Sequence, residues 1–351
     1  MLLPRIVHER EAREVAEQIR AMMAAPFVWQ GREVTVGVTI GIAIAEDGTV
    51  QSDALLRDGD AALYSAKRAG RGSAIVHRTG MSGHAERRWA LKTGLRDAAG
   101  RGEFVLHYQP IVDLATGHVG RVEALIRWHH PVFGLVPPNE FIPIAEEAGH
   151  ILSVGRWVIE EVCRQLRQWG SGTPAIAINL PTAQFTDPEL ARDIGTAMAR
   201  FGIDPRMLWV EITEHMLVDD LPATVSTLNQ LRKLGVSMAI DDFGTGYSSL
   251  RYLRELPVDS IKLDRSFVHG LESSPGALAI VEGITSLAHA IGLTVTAEGI
   301  ETVGQLTRLR AIGCDRGQGF YLARPAPADE HPPTVTLLLP GSALSGVMAG
   351  R

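Results

Sequence analysis

The feature that most constrains this chain is an alternation running from about residue 86 to 328: a short apolar strand, a loop, an amphipathic helix, then the next strand. Strand candidates are 105–112, 119–128, 175–180, 208–213, 236–241, 260–263, 293–297 and about 317–322. Helix candidates fill the intervals at 151–169, 189–201, 221–234, 277–291 and 303–312. In 221–234, Leu221, Val225, Leu228, Leu231 and Leu234 recur at helical spacing and form one apolar stripe. Eight strands with helical crossovers match the size of a (β/α)8 TIM-like barrel, with a doubly wound open sheet as the alternative. The first two strands have no full helix between them, which predicts that the barrel opens with a non-parallel pair.

Polar residues fall at the ends of these apolar strands. Asn179 closes Ala-Ile-Ala-Ile, Glu211 follows Leu-Trp-Val, Asp241 and Asp242 follow Met-Ala-Ile, Lys262 follows Ser-Ile, and Glu298 follows Val-Thr-Ala. Glu123 sits within the second strand. One acid at a strand end is usually a helix cap or a solvated loop residue. A run of strands ending this way is a different matter, because in a barrel those ends meet at one mouth, where barrel enzymes place their chemistry. Glu123, Glu211, Asp241, Asp242 and Glu298 around one lysine cannot all stay ionised there unless cations neutralise them. An all-oxygen donor set without His or Cys favours hard divalent ions such as Mg2+ or Mn2+. The number of carboxylates exceeds what one ion needs, and two ions about 3.5–4 Å apart are the usual arrangement for phosphoryl displacement. Lys262 would then orient the attacking water or offset developing charge, and a buried ion-pair cluster is the non-catalytic alternative. The segment Phe243-Gly244-Thr245-Gly246 directly follows the acidic pair and reads as a mobile loop over the mouth or as a tight turn.

Composition narrows the class. Hydrophobic residues make up 45% and charged ones 21%, which excludes a largely disordered chain. A net charge of −6 without a Lys/Arg block argues against DNA or RNA as a partner. No apolar run reaches the roughly 18 residues of a membrane span. Met1-Leu2-Leu3-Pro4-Arg5 runs straight into charged residues and does not read as an export signal, so a cytoplasmic protein is expected. Cys163 and Cys314 have no metal-ligand spacing and set no disulfide framework; Cys163 reads as a small apolar filler, and Trp157 and Trp169 as packing residues. His129-His130 is a poor ligand pair, since adjacent residues rarely reach one ion.

Residues 1–76 read as a small α/β piece: a helix carrying Val15, Ile19 and Met22, a β-branched run at 34–44, and a helix over about 53–69 with Leu56, Leu63 and Ala66 on one face. Two helices and one strand make part of a domain rather than a whole one. Residues 77–85, with two glycines, read as a joint to the body at 86–328, and 329–351 as an irregular tail in which 335–339 is the one apolar run.

The larger body resembles the EAL-domain family, cyclic-di-GMP-specific phosphodiesterases of bacterial signalling. The resemblance rests on Glu123-Ala124-Leu125 within Glu-Ala-Leu-Ile-Arg-Trp, Tyr108-Gln109-Pro110, Asn179-Leu180, Glu211-Ile212-Thr213-Glu214, Asp241-Asp242-Phe243-Gly244-Thr245-Gly246, Lys262-Leu263-Asp264, Ala297-Glu298-Gly299-Ile300-Glu301 and Gln318-Gly319-Phe320. It implies metal ligation by Glu123, Asn179, Glu211, Asp241, Asp242 and Glu298, and a water-positioning role for Lys262. Glu214 would pin the loop at 243–249, which is tied to dimer contacts in the family. Gln109, Leu125, Arg127 and Gln318 would contact substrate, the arginine through a phosphate. The implied reaction opens cyclic di-GMP to linear pGpG with two Mg2+ or Mn2+ ions, in a homodimer. A catalytically silent cyclic-di-GMP receptor is the alternative, although such members typically lack a ligand and none is missing here. Pro181 stands where serine is usual and Phe320 where tyrosine is common, which puts the loop beside Asn179 in question. Residues 1–76 resemble the C-terminal half of a GGDEF (diguanylate cyclase) domain, through Ala54-Leu55-Leu56-Arg57-Asp58-Gly59-Asp60-Ala61-Ala62-Leu63-Tyr64-Ser65-Ala66-Lys67-Arg68-Ala69-Gly70-Arg71. The signature loop is absent, so the expectation is a fragment without cyclase activity, from a longer parent with sensory domains.

Overall fold

The structure, a computed structural model, describes residues 9–24, 26–29, 32–34, 37–45, 52–68, 72–77, 81–214, 216, 221–245, 253 and 256–330. It forms two compact units, Met1–Gly94 and Leu95–Arg351.

In the first unit, helix α1 (Glu9–Met23) is followed by an antiparallel pair, β1 (Phe27–Trp29) and β2 (Arg32–Val34). Strand β3 (Ile40–Ile42) then leads through α2 (Ser52–Arg68) to β4 (Ala74–Val76), which lies parallel to β3. The expected continuous strand at 34–44 is thus two short strands, with 35–36 outside the described residues. Gly41 explains how α2 returns over β3: a Cβ there would collide with the backbone of Gly59 and Leu63. The helix faces agree with expectation in part. Ala66 is buried and Val15, Ile19 and Leu63 are half-buried, but Leu56 and Met22 are exposed, and the alanines Ala12, Ala16, Ala61 and Ala62 supply the other buried contacts. Helix α3 (Met81–Ala98) occupies part of the segment read as a joint; 78–80 and the tail from 331, including 335–339, lie outside the described residues.

The second unit is the barrel. Strands β5 (Phe104–Asp113) and β6 (Val119–His130) form an antiparallel hairpin, extended at the edge by β7 (Gly134–Val136). After α4 (Pro138–Glu147) and α5 (Ile151–Trp169) come β8 (Ala175–Asn179), α6 (Thr182–Phe185) and α7 (Leu190–Phe201). Then follow β9 (Leu208–Thr213), α8 (Leu221–Leu234), β10 (Ser237–Phe243) and β11 (Ser260–Leu263). The chain continues through α9 (Arg265–His269), α10 (Pro275–Ala290), β12 (Thr294–Ala297), α11 (Val303–Ile312) and β13 (Arg316–Gly317). The order β5-β13-β12-β11-β10-β9-β8-β6 closes through β5–β6 into an eight-stranded barrel. Strands β6 and β8 to β13 run parallel around the wall, while β5 is antiparallel to both neighbours, as the missing first helix requires.

Alternation sorts each strand. Ile176, Ile178, Val210, Ile212, Met238, Ile240, Ile261 and Val295 pack outward under the helices in one continuous core. The intervening residues point into the barrel, and Glu123, Glu211, Asp241, Lys262 and Glu298 gather at its mouth. The last strand is shorter than 317–322. Leu322 and Ala323 both donate to the Gly319 carbonyl, and a Cβ on Gly319 would meet the Ile300 backbone, so the chain turns across the mouth there instead of extending. Among the described residues, no helix is long and apolar enough to cross a membrane.

Candidate active site

Lys262, from β11, stands at the centre of the mouth and is almost wholly buried. Its Nζ lies 2.6 Å from Glu211 Oε2, 2.7 Å from Glu298 Oε1, 3.2 Å from Asp241 Oδ1 and 3.7 Å from Glu123 Oε2. These carboxylates come from β9, the end of β12, β10 and β6, so one ammonium ties four strands together. Burial works against the lysine's charge, but Asp241, Glu123, Glu211 and Glu298 together outweigh it and hold its pKa well above the ordinary lysine value. The carboxylates respond in the opposite sense. Burial pushes Glu211 up to about 8, only partly opposed by Lys262, and Glu298 likewise to about 8. Asp242 is also raised, by burial and then by its neighbour Asp241.

Glu123 is held from its other side. Asn179 Nδ2 donates to its Oε1 at 2.6 Å, and Gln318 Nε2 to its Oε2 at 2.6 Å. Gln318 also donates to Gln109 Oε1 at 2.9 Å, and Gln109 in turn donates to the Ala323 carbonyl at 3.1 Å. Strand β10 breaks register between Ile240 and Phe243. There Asp242 takes a φ of 53°, the left-handed region, and its N–H bonds Asp241 Oδ1 at 3.0 Å. That kink turns both consecutive aspartates toward the mouth, where strict alternation would send one of them outward. Past it, Gly244 (φ 96°) donates its N–H to Glu214 Oε2 at 2.6 Å, and Thr245 Oγ1 donates to the Asp242 carbonyl at 2.8 Å. Gly246 lies outside the described residues.

The site therefore brings together Glu123, Asn179, Glu211, Asp241, Glu298, Lys262, Gln109 and Gln318, with Asp242 on the kink beside them. One carboxylate oxygen each from Asp241, Asp242 and Glu298 lies within 4.8 Å of the others, a group able to hold a metal ion. Among the described residues, Glu211 Oε1 and Gln318 Oε1 are buried with no hydrogen-bond partner. Orphaned oxygens in an all-oxygen donor set fit a hard divalent cation, since buried polar atoms otherwise pair within the protein. Leu125 and Arg127 continue up β6 on the face of Glu123, and the Arg127 guanidinium, half-buried, has Nη1 on the Ile126 carbonyl at 2.9 Å. Residue order hid His107, which stands two places from Gln109 on β5, opposite Leu125, on this same face. His130 is packed between Trp128 and Phe133, with Nδ1 accepting from the Val132 and Phe133 amides, so it serves the hairpin and not the site.

Comparison with known proteins follows the same lines. Residues 93–325 match the family described as EAL domain, and residues 1–73 the family described as diguanylate cyclase, GGDEF domain. The chain is 40% identical over 324 residues to the bifunctional diguanylate cyclase/cyclic di-GMP phosphodiesterase MucR of Pseudomonas aeruginosa, covering 91% of this chain and 47% of that protein. It is 35% identical over 329 residues to the cyclic di-GMP phosphodiesterase NbdA of the same organism, covering 93% of this chain and 42% of that protein. The chain thus spans less than half the length of these two relatives. A solved structure of the MucR phosphodiesterase in complex with c-di-GMP superposes with a TM-score of 0.66 at 43% identity, covering 68% of this chain and 98% of that one.

Proposed function

The chain belongs to the EAL-domain family, and on that footing we propose that it hydrolyses cyclic di-GMP to linear pGpG, using Mg2+ or Mn2+ held by Glu123, Asn179, Glu211, Asp241, Asp242 and Glu298. The observation that carries this reading is the ring of carboxylates around Lys262 with Glu211 Oε1 left unpartnered. Two such ions would supply Lewis acidity toward the phosphate oxygens and would lower the pKa of a water. Lys262 would hold the attacking water in line with the scissile bond. The bond from phosphorus to one ribose O3′ breaks as the water oxygen bonds to phosphorus, which leaves a free 3′-hydroxyl and a terminal 5′-phosphate. Gln109 contacts the base side of the substrate, Gln318 contacts substrate near the metals, and Leu125 and Arg127 line the β6 wall, the arginine for a phosphate. Glu214 keeps the segment after Asp242 in place through the Gly244 amide, and the enzyme works as a homodimer. The barrel body at 86–328 carries the activity.

The test is turnover of cyclic di-GMP with Mg2+ or Mn2+, compared with Glu123→Ala and with product separation that distinguishes pGpG from GMP. We expect pGpG from the wild type and a loss of at least about 100-fold in the variant, the scale seen when a group acting directly on the reacting atoms is removed. Nucleotide binding at full metal occupancy without any product would sink the hydrolase reading in favour of a receptor.

A further inference from the structure

The short helix α9 touches both of the loops that carry the paired aspartates and Glu298. It starts directly after β11, with the Asp264 carboxylate accepting the Ser266 amide at 2.9 Å, so it is fixed to the strand that presents Lys262. Val268 and Leu271 are fully buried and anchor it to the barrel core. Leu263, the last residue of β11, joins the two loops: Phe243 pairs with it in register, and the Glu298 N–H donates to its carbonyl at 3.1 Å.

Each loop meets α9 at a glycine. A Cβ on Gly299 (φ 69°) would stand 2.5 Å from Arg265 Cβ, and a Cβ on Gly244 would stand 2.6 Å from both Cε2 and Cζ of Phe267. Backbone this close to a side chain leaves room only for glycine. The Phe267 ring is half-buried and packed against the core, so it cannot simply swing aside. The Gly244 N–H meanwhile donates to Glu214 Oε2 at 2.6 Å, and the Glu214 N–H donates to the Asp241 carbonyl at 3.2 Å. Thr245 closes the turn on the Asp242 carbonyl, through its N–H at 3.3 Å and its Oγ1 at 2.8 Å. Asp241, Asp242, Gly244 and Glu214 are thus tied into one unit, and a shift of Gly244 carries Asp242 with it. Glu214 draws that unit in by hydrogen bonds, and the Phe267 ring limits how far it can approach.

We propose that Phe267 is a positioning residue for the reaction: the wall on which the Gly244 turn rests, setting Asp241 and Asp242 at the spacing from Glu298 that a divalent cation requires. One carboxylate oxygen from each of these three lies within 4.8 Å of the others. This rests on the hydrolase reading of the same site. Phe267 offers the metal no ligand atom; it acts through Gly244.

The test uses the full chain and the variants Phe267→Ala, Phe267→Met and Phe267→Tyr, with Leu228→Ala as a core truncation on α8. Turnover of cyclic di-GMP gives kcat and KM with Mn2+, paramagnetic resonance of the free ion gives Mn2+ affinity without substrate, and metal-free protein gives the melting temperature. Phe267→Ala removes the wall. It is expected to lower kcat and Mn2+ affinity by about tenfold each, the scale of loss when a group supporting a metal ligand is removed, with KM within about twofold. Phe267→Met restores bulk against Gly244 and is expected to recover most of both. Phe267→Tyr keeps the core contacts but adds a hydroxyl at Cζ that presses on the turn, so kcat falls while the melting temperature stays near that of the wild type. Leu228→Ala is expected to lower the melting temperature with kcat within about threefold, assayed below its transition. Wild-type kcat or wild-type Mn2+ affinity in Phe267→Ala overturns the proposal, as does an equal loss of kcat in Leu228→Ala. Should Phe267→Ala not fold, wild-type kcat in Phe267→Tyr overturns it. A wild type that cleaves no cyclic di-GMP overturns the hydrolase reading, and the Mn2+ affinities then decide the role of Phe267; a wild type that also binds no Mn2+ overturns both.

Discussion

Glu211 and Glu298 are pushed up to about 8 by burial, from an ordinary 4.5, in the metal-free site. A carboxyl whose folded value is raised binds its proton more tightly folded than unfolded, so its contribution to stability is complete below about 4.5 and is lost as pH climbs through about 8. Lys262, raised well above its ordinary value, keeps its proton throughout that window and adds no slope. We therefore expect the melting temperature of EDTA-treated protein to fall by several degrees between about pH 5 and pH 8.5, since each pH unit of titration is worth about 1.4 kcal/mol and each kcal/mol a few degrees at this size. Mn2+ should remove most of that slope, because an occupied site replaces the protons. Calorimetry with and without metal checks this; a slope that Mn2+ leaves untouched would show that the acidic ring does not bind the ion. At this scale the gathering of the strand-end acids around Lys262 was legible in the sequence, because strand-end acids in a parallel barrel have one place to go. His107 was not, because a histidine inside an apolar run carries no mark of its face until closure of the barrel fixes which side is inside.

Strands and helices were legible to different degrees, for reasons of length and period. The helices at 151–169, 221–234 and 303–312 carry long apolar stripes, and they form over those residues. The two-residue strand β13 has too few positions to show any period and was overextended to 322. In the first unit, alanine faces carry the packing, so the larger Leu56 and Met22 gave a false bearing. The turn after β10 shows what a strand end does for the site. Gly244 has φ 96°, and a Cβ on it would stand 2.6 Å from the Phe267 ring on α9. Gly244→Ala therefore meets both backbone strain, about 1–3 kcal/mol, and a rigid aromatic wall. The segment must move, and the Gly244 amide then leaves Glu214 Oε2, the carboxylate that holds it. We expect kcat to fall by about tenfold or more, with a smaller loss of stability than a core truncation such as Leu228→Ala causes, about 2–5 kcal/mol. Unchanged turnover in Gly244→Ala would mean that the loop's position does not matter to the chemistry.

For the molecule as a whole, the question is whether the barrel needs anything N-terminal to it. Every residue of the acidic ring, the Gln109–Gln318 pair and the Glu214–Gly244 bond lies within the second unit, Leu95–Arg351. So do all eight strands that close the wall, with β5 bonded to both β6 and β13 and no strand borrowed from outside. Closure removes the free sheet edges that would otherwise expose the unit to pairing with other chains. The solved MucR phosphodiesterase chain, in complex with c-di-GMP, is covered over 98% of its length by 68% of this one, so that chain is about the size of the barrel. Residues 81–351, which keep helix α3 whole, should therefore hydrolyse cyclic di-GMP with kcat within about threefold of residues 1–351, as expected when a deletion removes no group acting on the reacting atoms. Light scattering on both proteins reports whether the proposed homodimer forms with and without residues 1–80, and we expect it in both because every group of the proposed site lies in the barrel unit. A truncated protein that stays folded and dimeric yet turns over no substrate would locate a required element in residues 1–80, and the barrel could no longer be treated as the complete catalytic unit.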